Sequence, residues 1–88
     1  MFKDVLGDAF PLIEKFAPLI ATAVSSPAAG AATMIGLNLL ANAFGIKPSS
    51  LDKLGDSIVG DPNCEKKLCA LHNQYEEWFK ANMAESCS

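Results

Sequence analysis

Arginine is absent from this chain, whose seven basic residues are all lysines set against ten acids, for a net charge of −3. Nucleic-acid recognition rests on clustered cations, with Arg favoured for bidentate contacts, so that class of partner is excluded. The same shortage excludes a polybasic patch for a membrane surface. Cysteine is sparse and odd in number: Cys64, Cys69 and Cys87 have no disulfide-framework spacing, which fits reduced thiols in a cytosol. Acids at Asp4, Asp8 and Glu14 precede any long apolar stretch, so the N-terminus makes a poor secretory signal.

Recognisable chemistry is also missing. The single histidine, His72, lies three residues after Cys69, but no third group orients the pair and no oxyanion-stabilising motif accompanies it. Cys69-x-x-His72 has metal-ligand spacing, yet a zinc site needs more ligands, and Cys64 and a tail residue, Cys87, are all that remain. Structural zinc motifs draw ligand pairs from two elements, so Cys64 and Cys69 read as small buried hydrophobes. Gly30 and Gly36 fall inside a helical pattern, not after a strand, so no phosphate-binding loop is present. The expectation is a chain that is not an enzyme, with no metal, no cofactor and no small-molecule substrate.

The third absence organises the chain. From Phe16 to Ile46 there is no Asp, Glu, Lys or Arg over 31 residues. With 50% of all residues hydrophobic, a domain this short has more apolar surface than one small core easily hides. The chain itself, copies of it, a partner or lipid must cover the excess. Phe16 to Val24 is too short to span a bilayer, and Pro27 to Ile46 reaches the necessary ~20 residues only by including Asn38 and Asn42. Amides of that kind are tolerated when they face the interior of an oligomer.

What is present reads as helix throughout. The predicted fold is all-α, a single domain over residues 1–88 built as a small bundle of about four helices around a central Ala/Gly-rich hairpin. A kinked first helix, or two short pieces, is expected over 1–24, because Pro11 and Pro18 each remove an amide donor. Leu12, Ile13, Phe16, Leu19, Ile20 and Ala23 form its buried side. Ser25-Ser26-Pro27 stops that helix and starts the central one, over 27–44, with Gly45 as its left-handed cap and Pro48 preventing continuation. A short helix over 50–59 follows, then an amphipathic helix over 62–84 opened by Asp61-Pro62.

On a helical wheel the central helix has two apolar faces. Ala28, Ala32, Ile35, Gly36, Leu39 and Ala43 form an association face, where the four-residue repeat of small side chains lets another helix approach closely. Gly30, Met34, Leu37, Ala41 and Phe44 form a second face, with Thr33 and the Asn38/Asn42 pair between the two. A helix apolar on both sides is central in a bundle, an oligomer or a membrane. The last helix is expected to bury Leu68, Leu71, Tyr75, Trp78 and Phe79, within an arc that also holds Cys64 and Met83, and to expose Lys66, Asn73 and Lys80.

One pattern is more specific. Phe16-Ala17-Pro18-Leu19-Ile20 is followed by Ser25-Ser26-Pro27, an Ala/Gly-rich helix, a Gly45-Ile46-Lys47-Pro48 break and a charged helix opened by Asp61-Pro62. This order resembles the N-terminal region of small phage and gene-transfer-agent proteins of the three-transmembrane holin type. Members of that family usually continue into a further hydrophobic hairpin, which these residues do not include. The resemblance implies phage or prophage origin and a holin-like role, with association through the central helix and a place in host cytoplasm or inner membrane connected with host lysis. The alternative is a small structural component of a phage virion, a module of assembly or ejection. Expected partners are the chain itself, other phage proteins or membrane lipid.

Overall fold

Proline and glycine cut the chain where its helices end. In the computed structural model, which describes residues 2–26 and 30–87, six α-helices and one 3-10 segment are present among the described residues, with no strand. The protein is all-α. Helix α1 spans Phe2–Leu6, α2 Ala9–Phe16, α3 Pro18–Ser25 and α4 Ala31–Ala43; a 3-10 segment, Pro48–Lys53, leads into α5, Leu54–Val59, and α6 spans Cys64–Cys87.

The first segment is thus three helices, where one kinked helix or two pieces were expected. Gly7 adopts φ 53°, a left-handed conformation that costs glycine little, and this separates α1 from α2. Pro11 occupies the third position of α2, where its missing N–H is one that the first turn leaves unused anyway. It therefore does not break the helix. Pro18 opens α3 at its first turn, and the residue before it, Ala17, leaves helical geometry at φ −142°, ψ 65°, as a residue preceding proline is pushed to do.

The central position belongs to α3, not to α4. Helix α3 packs against α1, α2, α4 and α6, whereas α4 packs on α3, α6 and the 3-10 segment. Ile20, Ala21, Ala23 and Val24 of α3 are all buried. The expected start of the central helix at Pro27 lies outside the described residues; the described helix begins at Ala31, after Gly30 at φ 60°. It ends in a Schellman motif: Gly45, at φ 69°, donates its N–H to Asn42, and Ile46 folds back to donate to the Ala41 carbonyl at 2.8 Å.

One buried polar group joins α3 to α4. Ala23 lies in the last turn of α3, where carbonyls run out of helical donors, and residue 27, next in register, is a proline with no N–H to give. The Thr33 hydroxyl donates to the Ala23 carbonyl instead, at 2.8 Å, and lies 3.3 Å from the Ser26 carbonyl. Thr33 is the one buried polar side chain among the described residues.

Helix α6 runs the length of the molecule. Its 24 residues give a rod of about 36 Å, matching the longest dimension of 37 Å. Cys64, Leu68, Phe79 and Met83 are buried along it. Leu71, Tyr75 and Trp78, expected in the core, are only half-buried and lie along its margin. Trp78 meets Phe79 edge to face, with ring centroids 5.0 Å apart, and Phe79 alone of the two enters the core. The reason is the spacing: Cys64, Leu68, Phe79 and Met83 are separated by four, eleven and four residues, close to whole turns, so they share one stripe, and Trp78 lies to one side of it. Lys66, Asn73 and Lys80 are exposed.

Two glycines allow close approach, with different consequences. A Cβ at Gly36 would lie 3.1 Å from Cγ1 of Val24, a side-chain tip. A Cβ at Gly55 would lie 2.5 Å from the carbonyl oxygen of Leu6, which is backbone and cannot rotate aside. Gly55→Ala should therefore destabilise by roughly 1–3 kcal/mol, as overpacking does, despite Ala's better helix propensity. Gly36→Ala should stay within about 1 kcal/mol of the parent, because a propensity gain of similar size offsets a small side-chain shift. Urea denaturation of both variants checks the contrast, and equal effects would contradict it.

Candidate interaction surfaces

The two expected faces of α4 are flanks of one buried side. Its burial is centred on the line of Thr33 and Leu40, both buried. Leu40 falls between the two expected faces and belongs to neither. Of the expected association face, Ala32 and Gly36 are buried, while Ile35, Leu39 and Ala43 are half-buried. The neighbours of Gly36 are Ile20, Ala23 and Val24, so the close approach at that glycine is made by α3 of the same chain. Ala28 lies outside the described residues.

The second expected face divides similarly. Leu37, Ala41 and Phe44 are buried, whereas Gly30 and Met34 are exposed. What α4 leaves to solvent is therefore a third strip: Ala31, Met34, Asn38 and Asn42, all exposed and at helical spacing. Met34 is 49% exposed. Ile35 and Leu39 line one edge of this strip, and it carries no charge at all.

The thiols and the imidazole stand apart from that strip, on α6. Cys64 is buried, and burial first, then the negative charges of Asp61 and Glu65, push its thiol above the ordinary cysteine range. A thiol held protonated is a poor nucleophile. His72 directs Nε2 toward Glu76, 3.8 Å away, while its Nδ1 is buried with no hydrogen-bond partner among the described residues. Among the described residues no group of three His, Cys, Asp or Glu side chains is placed to hold a metal ion.

At the opening of α6 a cap does more than the sequence pattern indicates. The Asn63 N–H donates to Oδ1 of Asp61 at 2.7 Å, and the Lys67 ammonium donates to Oδ2. The same ammonium lies 5.2 Å from the centroid of the Phe44 ring. Lys67 thus joins the start of α6 to the end of α4. Nothing in the sequence marks it out from Lys66, its exposed neighbour; only the fold distinguishes them.

The chain matches no family model, and no curated protein or solved structure matches it either.

The Asp61 carboxyl is held below the usual carboxylate range, first by the Lys67 hydrogen bond and then by the Asn63 N–H. A depressed carboxyl adds stability above its unfolded-state value of about 3.9, and that stability is lost as pH falls through the folded-state value. Asp61→Asn should lower the Tm at pH 7, with the difference from the parent closing as both are taken to strongly acid pH. Thermal melts followed by circular dichroism across pH 2 to 7 check this. A difference that persists unchanged into acid would assign the loss to packing.

Proposed function

We propose that this chain is a non-enzymatic helical protein whose role is association, and that the uncharged outer strip of α4 is the surface it uses. The observation that supports this is the absence of charge where an outer helix ordinarily carries it. The solvent side of a surface helix is normally charged or strongly polar, but here Ala31, Met34, Asn38 and Asn42 face water and half-buried Ile35 and Leu39 flank them. Interface cores are depleted in charged residues and enriched in Met. Asn38 and Asn42 can hydrogen-bond across a contact without the desolvation cost of an ion.

Of the two settings that the sequence resemblance suggests, a small structural component of a phage particle fits this surface better than a holin-like membrane protein. Thirteen residues of α4 make about 20 Å of helix, against a hydrocarbon core of about 30 Å. Among the described residues no helix is long and apolar enough to cross a membrane. A spanning arrangement would require α3 and α4 to leave the bundle and expose Thr33. The structural-component reading keeps the bundle closed and asks only that one neutral strip be covered.

Sedimentation velocity over a wide concentration range tests the association. The parent should sediment increasingly fast as concentration rises, and a Met34→Lys/Asn38→Lys variant should remain monomeric with unchanged helicity. A parent that stays monomeric at every concentration would contradict self-association through this strip.

A further inference from the structure

A second surface, formed without α4, combines exposed hydrophobic side chains with unpaired charge. A groove of about 290 Å³ runs between α1 and α5. Its rims are Val5 and Val59, 44% and 52% exposed, which with Met34 are the exposed large hydrophobics among the described residues. Leu6 is buried in the core and Gly55 has no side chain. Asp8, Asp52 and Asp56 also line it.

Asp61, Glu76 and Glu77 each have a lysine partner, but none of the three groove carboxylates has an ion pair among the described residues. Like charges around one concavity with low-dielectric walls focus a negative potential into it. A metal ion is not the matching occupant, since no three carboxylate, His or Cys groups among the described residues are placed to hold one. Asp8 precedes α2, Asp52 lies in the 3-10 segment and Asp56 in α5, and an extended cationic surface complements them.

We propose that this groove docks a lysine- or arginine-bearing amphipathic segment of a partner protein, its apolar side on Val5 and Val59 and its cations beside Asp8, Asp52 and Asp56. Apolar contact supplies affinity, and the carboxylates supply orientation and discrimination against acidic segments. The site involves no residue of the α4 strip, so loss of one surface leaves the other intact.

The probe is a synthetic Lys/Leu amphipathic helical peptide, titrated calorimetrically into the 88-residue chain, with a Glu/Leu peptide of the same pattern as comparison. The Lys/Leu peptide should bind saturably at one site and shift backbone amides of α1, the 3-10 segment and α5. The Glu/Leu peptide should not bind. Affinity should fall by about tenfold or more in Asp8→Asn/Asp52→Asn/Asp56→Asn and in Val5→Ser/Val59→Ser. It should be retained in Glu14→Gln/Glu65→Gln/Glu77→Gln, which removes the same formal charge elsewhere. If the triple Asn variant loses helicity, the Val5→Ser/Val59→Ser pair at exposed positions decides alone. Equal loss in the control triple, shifts centred on α4, or no saturable binding would each overturn the proposal.

Discussion

The α3–α4 junction depends on a single buried carbonyl in the last turn of α3 that has no helical donor. The chain must turn between α3 and α4 inside a stretch that offers no charge and little polarity, and the end of α3 at Ser25 leaves the buried Ala23 carbonyl without a helical donor. An unsatisfied carbonyl at a buried position costs on the order of 1–3 kcal/mol, a sizeable share of the stability of a small domain. The Thr33 hydroxyl supplies the missing donor from the opposite helix. One residue thereby compensates the break in α3 and fixes where α4 lies along it.

From that junction the remaining packing follows. The missing side chain at Gly36 lets α4 lie close to Ile20, Ala23 and Val24, and Leu37, Leu40 and Phe44 of the same helix enter the core. Helix α6 closes the bundle with Leu68, Phe79 and Met83, and Lys67 ties its first turns to the end of α4 through Phe44 and Asp61. The radius of gyration, 11.8 Å, is close to the ~12 Å of a compact domain this long. Most of the apolar excess is thus absorbed by the chain itself. The α4 strip and the valines of the α1–α5 groove remain outside.

Much of this was legible from local chemistry. Gly45 and Ile46 announced the end of α4, Pro18 and Ser26-Pro27 announced breaks, and the absence of any two-residue alternation announced an all-α chain. The orientation of α4 was not legible, because Ala, Gly, Met and Leu occur nearly all around it and a wheel cannot choose among apolar sectors of similar strength. Thr33 reads on the wheel as a polar divider between two faces but is at the centre of the buried side, and its partner lies ten residues back. Leu40 beside it was overlooked for the same reason. Gly7 and Gly55 were overlooked because their roles, a left-handed turn and contact with the Leu6 carbonyl, depend on how separate helices meet. In α6 the apolar arc is broad enough to include Trp78, and only the stripe through Leu68 and Phe79, eleven residues or about three turns apart, separates core from margin.

The central claim is that the α3–α4 hairpin is closed within one chain by the Thr33 hydroxyl. Replacing Thr33 by the nearly isosteric Val keeps the volume and removes the donor. Equilibrium urea unfolding of Thr33→Val measures the consequence most directly. The account predicts a loss of about 1–3 kcal/mol with an unchanged m-value. A Thr33→Val chain as stable as the parent, or more so, would contradict it.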